Sequence, residues 1–175
     1  MDFHALTQTA VDFVRANQGW GFLVVMALAF GESLAFISLL VPATVILLGI
    51  GFLVGESGIS FWPLWAAAAI GAFFGDWLSF WIGQKLKHDV VRYWPLSRNP
   101  GLLERGHRFF ERWGTLGVFV GRFSGPLRAS MPLVAGICEM SPVAFQLANA
   151  TSAMLWAAGI LAPGAFGLKW LQDWI

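Results

Sequence analysis

The feature that most constrains this chain is a long stretch that carries almost no charge. Between Trp20 and Gly83 the only charged side chains belong to Glu32, Glu56 and Asp76. Over the whole chain 57% of the residues are hydrophobic and 12% are charged, whereas soluble domains carry about 25% charged residues. A water-exposed surface cannot be built from this composition, so the sequence predicts one all-α integral membrane domain over residues 1–175.

The first half of the chain is predicted to form a broken hairpin followed by a spanning helix. Residues 20–55 are apolar over more than the roughly 20 positions that one spanning helix needs, and Pro42 interrupts them near the middle. Because proline breaks a helix interior, we expect a re-entrant helical hairpin here, although two full crossings would fit the same pattern. After a polar turn, residues 61–83 form the first candidate spanning helix, with tryptophans toward its ends.

The second half repeats this organisation. Residues 114–138 are apolar but are interrupted by Gly125, Pro126 and Pro132. These residue types break helices, so we predict a second re-entrant hairpin. Residues 141–167 then form the second candidate spanning helix.

Amphipathic segments precede and connect these halves. Residues 1–19 place apolar side chains at helical spacing and are predicted to lie in the membrane interface. Residues 84–113 connect the halves, and seven of the 11 Lys and Arg residues lie between Lys85 and Arg112. The positive-inside rule therefore assigns this connector to the cytoplasmic side, where it would lie on anionic lipid.

The spacing of residues within the two hairpins suggests an internal repeat. Glu32 precedes Pro42 by ten residues, and Arg122 precedes Pro132 by ten. Inverted repeats in transporters place their binding sites between broken helices near the middle of the membrane. The chain holds eight Pro residues, so such a match also arises by chance, and spacing alone leaves an inverted repeat open.

Two arginines lie where lipid disfavours charge. Arg122 and Arg128 flank the helix-breaking pair Gly125 and Pro126. An Arg at the bilayer centre costs about 2.5 to 3.5 kcal/mol on insertion scales, so both side chains need partners or water. The planar guanidinium binds phosphate or carboxylate with two hydrogen bonds and keeps its charge. We predict a phosphate-binding pair, whereas the alternative is that both side chains reach the cytoplasmic interface and anchor the hairpin.

Two carboxylates complete the set of candidate site residues. Glu32 lies in an apolar stretch and is a candidate proton carrier or arginine partner. Asp76 lies near the middle of the first spanning helix, where it could pair with an arginine or bond the backbone of a broken hairpin. For both residues the alternative is a structural or solvated carboxylate.

Other classes of site find little support in the sequence. The net charge of +1 does not favour nucleic-acid binding. The single Cys138 and the three His residues lack metal-ligand spacing, so neither a metal nor a cofactor is expected. Phosphate-cradling glycine loops, nucleophile elbows and paired acid-base carboxylates are also missing, and an enzyme is not expected.

Three segments together resemble the DedA family of bacterial membrane proteins, part of the wider group with the VTT, or SNARE-associated, domain. The family signature is matched by Gly121-Arg-Phe-Ser-Gly-Pro-Leu-Arg128 followed by Pro132-Leu-Val-Ala-Gly136. Further similarity lies at Glu32-Ser33 and at Gly75-Asp-Trp-Leu-Ser-Phe-Trp-Ile-Gly83. The similarity extends over about residues 20–165.

The resemblance implies two facing re-entrant hairpins and lipid transport across the bacterial inner membrane. The substrate that it implies is undecaprenyl phosphate, and some relatives are linked to proton-motive-force homeostasis. Glu32, Arg122 and Arg128 match positions that the family uses for function. Several relatives carry an acidic residue where this chain has Thr44, which argues against a proton mechanism with two carboxylates in the first hairpin.

These features lead to one functional hypothesis and two rivals. The hypothesis is a flippase for undecaprenyl phosphate or another anionic phospholipid, in which Arg122 and Arg128 hold the phosphate and Glu32 competes with it for them. Its partners would be membrane lipids and protons, with a homo-oligomer left open. The rivals are a proton-coupled exporter of small solutes that uses Glu32 and Asp76, and a scaffold that acts through the 84–113 connector.

Overall fold

The computed structural model describes residues 18–34, 43–57, 59–86, 101–124, 128 and 130–172. Every regular element in these ranges is a helix, which confirms the predicted all-α class. The helices are α1 (Gln18–Ser33), α2 (Ala43–Ser57), α3 (Phe61–Leu86), α4 (Gly101–Gly121), α5 (Met131–Ile137) and α6 (Pro142–Gln172).

Two of these helices are long and apolar enough to cross a membrane. They are α3, with 26 residues, and the 26-residue apolar part of α6, Pro142–Gly167. At about 1.5 Å per residue, each exceeds the roughly 30 Å of a bilayer's hydrocarbon core. By contrast α1 and α2 have 16 and 15 residues, fewer than the roughly 20 that a full crossing needs. Most of the predicted interfacial helix at 1–19 lies outside the described residues.

The fourth helix changes direction at a glycine. Gly114 has φ 48° and ψ −125°, a conformation that L side chains rarely adopt. Before this kink α4 is amphipathic, with Arg105, Arg108 and Arg112 exposed and Phe110 buried. After the kink the helix is apolar up to its end at Gly121. The glycine thus separates a polar surface segment from a segment suited to lipid.

The proline at 132 begins a helix and does not interrupt one. Pro132 lies in the first turn of α5, where its missing N–H removes no helical hydrogen bond. The interruption of the second hairpin lies earlier, after α4 ends at Gly121. Pro42, Gly125 and Pro126, predicted to break the hairpins, lie outside the described residues.

The two long helices run antiparallel to each other. Phe61 contacts Phe166 at a ring distance of 5.0 Å, and Phe80 stacks on Phe145 at 4.1 Å. Between these contacts, the indole N–H of Trp65 donates a 3.0 Å hydrogen bond to the carbonyl of residue 154. As residue numbers rise along α3 they fall along α6, so the two helices point in opposite directions.

The shorter helices pack on this pair in a reciprocal pattern. Helix α1 packs on α3 and α4 packs on α6, each within its own half of the chain. The second arms cross over, because α2 packs on α6 and α5 packs on α3. Exchanging α1 with α4, α2 with α5 and α3 with α6 leaves this set of principal contacts unchanged.

Glycines let these helices approach each other closely. A Cβ added at Gly71 would lie 2.2 Å from the Met26 carbonyl oxygen of α1. At the contact of α3 with α5, a Cβ at Gly136 would lie 2.1 Å from the Phe80 carbonyl oxygen. Such close backbone contacts at small residues are typical of helix pairs in membranes.

We expect Gly71→Leu to separate α1 from α3 and to lower the free energy of unfolding by about 3 kcal/mol or more. Gly159→Leu is the matched control, because a Cβ at Gly159 meets no atom within 4 Å. The measurement is the fraction of detergent-solubilised protein that stays monodisperse after heating. Equal losses in the two variants would contradict the close α1–α3 contact.

The surface of the long helices is unlike that of a water-soluble protein. Many large apolar side chains are exposed on α3, α4 and α6, whereas several polar side chains are buried within an otherwise apolar interior. The exposed set includes Trp62, Trp81, Leu116, Val143 and Leu147, and the buried polar set is Glu32, Ser33, Asp76, Ser79, Arg122, Asn149 and Ser152. This distribution fits a protein surrounded by lipid, with its polar groups facing the bundle interior.

Candidate functional site

The first buried ion pair joins Arg122 to the two spanning helices. Arg122 directly follows the end of α4, and its Nη2 group donates hydrogen bonds to the Asp76 carboxylate of α3 and, at 2.7 Å, to the Asn149 Oδ1 atom of α6. Asn149 in turn donates from Nδ2 to the Phe73 carbonyl oxygen at 3.0 Å. Asp76, Arg122 and Asn149 are each at most 5% exposed. One guanidinium group at the end of α4 therefore contacts both long helices.

The second ion pair joins the end of α1 to the segment between α4 and α5. Arg128, which lies between α4 and α5, donates from Nη1 to Glu32 Oε1 at 2.7 Å. The Thr44 hydroxyl of α2 donates to the same carboxylate oxygen. The Arg128 guanidinium carbon lies 4.1 Å from the centre of the Trp156 ring, a favourable cation-π contact. The residues of this cluster come from α1, α2, α6 and the segment before α5.

The two pairs are linked through α3 and α6. Arg122 contacts α6 at Asn149 and Arg128 contacts α6 at Trp156. The Ser79 hydroxyl of α3 donates to the carbonyl oxygen of Ser33, the residue after Glu32. Asp76 and Glu32 each face one of these arginines, so the four side chains balance to a net charge of zero. A buried charge left without its partner is costly. An added anion would therefore disturb the balance unless a carboxylate moved away or was protonated.

Several polar atoms in this site have no partner among the described residues. They are Arg122 Nη1, Arg128 Nη2, Glu32 Oε2 and the Ser33 hydroxyl, all buried. Buried polar atoms are nearly always hydrogen-bonded in proteins, so these positions favour occupation by water or by a polar ligand. Each arginine retains N–H groups for an oxyanion while its other nitrogen holds a carboxylate.

The four ionisable residues singled out in the sequence lie together, but their pairing differs from the simplest expectation. Glu32 was expected to compete for both arginines, whereas it contacts Arg128, and Asp76 contacts Arg122. Asn149 and Trp156 were not predicted to take part. Asn149 had a usable signal, since it and Gln146 are amides in a mostly apolar spanning helix. One tryptophan among 10 has none.

The chemistry of the site suits an oxyanion better than a metal ion. In the described part of the chain, no three His, Cys, Asp or Glu side chains are grouped as metal ligands. The N–H groups left without partners belong to guanidinium groups, which donate hydrogen bonds and cannot accept them. Phosphate and carboxylate are the groups that such a fork recognises.

The fold and site define a helical membrane protein with a buried network of arginines and carboxylates, and the known proteins that it resembles are also membrane proteins. The VTT domain matches residues 41–166. Inner membrane protein YabI of Escherichia coli (strain K12) is 35% identical over 152 residues, which cover 87% of this chain and 60% of that protein. An uncharacterized membrane protein of Mycobacterium tuberculosis (strain H37Rv), Rv2637, is 32% identical over 181 aligned residues, covering 100% of this chain and 79% of that protein.

These matches identify the family of the protein. The chain belongs to the DedA family of VTT-domain membrane proteins, as the sequence motifs predicted. It spans about three fifths of the length of YabI and of a Buchnera aphidicola membrane protein, BU139, that is 30% identical to it. No solved structure matches the chain.

Proposed function

We propose that this protein moves an anionic lipid between the leaflets of the bacterial inner membrane, with undecaprenyl phosphate as the first candidate substrate. The observation that carries the proposal is the pair of buried arginines, Arg122 and Arg128. Each has one nitrogen without a partner among the described residues. No covalent chemistry is required, because the proposed task is to hold and release a charged head group.

Arginine is suited to hold a phosphate within a membrane. The guanidinium group stays protonated, binds phosphate with two parallel hydrogen bonds and is less strongly hydrated than an ammonium group. The Arg128 guanidinium carbon lies over the Trp156 ring, and arginine makes such contacts with its planar face. The edges of the fork are therefore left for Glu32 and for a competing anion.

The reciprocal packing of the helices supports two inverted repeats, each a re-entrant hairpin followed by a spanning helix. The equivalent helices α3 and α6 are antiparallel, and the principal contacts are unchanged when the halves are exchanged. Glu32 lies in the last turn of α1, and Arg122 directly follows α4. The proposed site thus lies between the ends of two broken helices that face opposite leaflets, the arrangement used for alternating access.

Glu32 offers a way to couple lipid movement to protons. Its carboxylate competes with a phosphate for Arg128, and Thr44 donates to the same oxygen. Protonation removes the negative charge that neutralises Arg128, so a phosphate is held more tightly while Glu32 is protonated. Deprotonation restores the ion pair and favours release. A ligand can shift the site between two states only if it binds one of those states more tightly than the other.

Binding of the phosphate group can be tested in nanodiscs that contain the full chain. We expect wild type to bind polyprenyl phosphate more tightly than the uncharged polyprenol. Arg128→Gln should weaken phosphate binding by roughly 10- to 100-fold, since a hydrogen bond to a charged group contributes about 1.5–3 kcal/mol.

The control for this measurement is Lys85→Gln, which also removes one positive charge, but from an exposed side chain at the end of α3. Its affinity for polyprenyl phosphate should match that of wild type. If Arg128→Gln also kept the wild-type preference for phosphate over alcohol, Arg128 would not be a phosphate ligand.

A proton-coupled exporter of small solutes is the second candidate. The observation that favours it is the burial of two carboxylates, Glu32 and Asp76, in the bundle interior, where ionisable residues often form proton pathways. Proton flux into liposomes that lack polyprenyl phosphate would support this candidate. A flux that depends strictly on added lipid phosphate would support lipid transport.

A further inference from the structure

An open groove runs along the outer face between the two spanning helices. Its volume is about 770 Å³, and its walls include Phe74 and Trp77 of α3 and Val143, Leu147 and Ala150 of α6. The exposed lining is almost entirely apolar, but Gln146 supplies one amide. Volumes of this size accommodate small ligands.

The groove is connected to the buried arginine by a short chain of hydrogen bonds. The Gln146 Oε1 atom accepts a 3.4 Å hydrogen bond from Asn149 Nδ2. Asn149 Oδ1 accepts the 2.7 Å hydrogen bond from Arg122 Nη2. Phe73, which also lines the groove, accepts from Asn149 through its carbonyl oxygen. One buried amide side chain therefore separates the groove wall from a guanidinium group.

We propose that this groove holds the hydrocarbon chain of an anionic lipid whose phosphate is bound at Arg122, so that the α3–α6 face is the lateral entrance to the site. The inference rests on the proposed function and adds the route by which the lipid enters. An apolar groove alone would accept any lipid chain. Arg122 Nη1, which lacks a partner among the described residues, favours a chain that carries a phosphate, because a guanidinium N–H donates strongly to an anionic oxygen.

Neighbouring grooves on the same face support the choice of this one. Phe74, Trp77 and Phe30 line a groove of about 420 Å³ on one side, and Leu147 with Thr151 lines one of about 300 Å³ on the other. Of these three grooves, the α3–α6 groove is distinguished, among the described residues, by a hydrogen bond from its lining to the buried charged site. Its lining residue Gln146 is hydrogen-bonded to Asn149, which accepts from the buried Arg122. The other two surfaces are suited to ordinary annular lipid.

The test is photo-crosslinking of the full chain in phosphatidylcholine liposomes. One probe is a polyprenyl phosphate with a diazirine in its chain, and the other is the polyprenol with the same diazirine. We expect the phosphate probe to label residues 142–150 about tenfold more than the alcohol does, the ratio given by one contact of about 1.4 kcal/mol.

Two tryptophan substitutions test the position of the chain without altering the charged residues. Val143→Trp fills the groove and should reduce the labelling of residues 142–150 by the phosphate probe. Leu155→Trp is the matched control, because Leu155 is exposed on α6 but does not line the groove. It should leave the labelling unchanged. Arg122→Gln should remove the preference for the phosphate probe.

The possible outcomes separate this inference from the proposed function. If the two probes label residues 142–150 equally, or if Val143→Trp does not reduce the labelling, the groove binds annular lipid only. Either result contradicts the inference about the groove, even if translocation depends on the arginines. Phosphate-dependent labelling of the groove in a protein that moves no lipid supports the groove and contradicts the proposed function. Because Val143→Trp changes an exposed residue, the test remains decisive if Arg122→Gln does not fold.

Discussion

Replacing Arg122 with methionine is expected to lower the free energy of unfolding by about 3–5 kcal/mol, the cost of removing one partner from a buried ion pair. The loss arises because Asp76 would remain charged and buried, and Asn149 Oδ1 would lose its donor. The measurement is unfolding of the detergent-solubilised protein by added denaturant at constant pH. An unchanged midpoint would contradict a paired Arg122 in the bundle interior.

A double variant separates stability from function. In Arg122→Met with Asp76→Leu both charges of the pair are replaced by apolar groups, and such replacements are often neutral or stabilising. We expect this variant to recover most of the lost stability but to remain defective in transport. If the losses of stability in Arg122→Met and Asp76→Leu simply added in the double variant, the two residues would not be coupled. An unpaired Asp76 would then not explain the instability of Arg122→Met.

The second large effect is expected from Glu32→Gln. In wild type the Glu32 carboxylate competes with the phosphate for Arg128. Glutamine carries no charge, so the variant should bind polyprenyl phosphate roughly tenfold or more tightly than wild type does. The measurement is a binding isotherm in nanodiscs for each variant under the same conditions.

Glu104→Gln provides the control for this change of charge, since Glu104 is exposed and pairs with Arg108 on the surface of α4. Its affinity for polyprenyl phosphate should match that of wild type. If Glu32→Gln also bound with wild-type affinity, Glu32 would not compete with the phosphate for Arg128.

The helical spans could be predicted because hydrophobicity is a local property of sequence. Helix α3 covers the predicted segment 61–83, and α6 begins one residue after the start of the predicted segment 141–167. Both are recognised from length and composition alone. Their ends could not be predicted in the same way. A proline fits the first turn of a helix as well as a break, and Pro132 takes the first of these places. Helix α6 also continues past Pro163 to Gln172.

The residues of the site could be predicted, but their pairing could not. A charge in an apolar segment is visible in the sequence, which is why Arg122, Arg128, Glu32 and Asp76 were singled out. The partner of each depends on how distant segments pack, since Arg128 and Glu32 lie 96 positions apart. Asn149 was missed because a neutral amide is not marked by charge, although it holds Arg122 in place.

The measurement that tests the central claim most directly is the rate at which polyprenyl phosphate crosses the bilayer of liposomes that contain the full chain. Wild type, Arg128→Gln and Lys85→Gln are compared at equal amounts of inserted protein. We predict the wild-type rate for Lys85→Gln and a loss of roughly 10- to 100-fold for Arg128→Gln, from the same charged hydrogen bond of about 1.5–3 kcal/mol. A wild-type rate in Arg128→Gln would contradict the account.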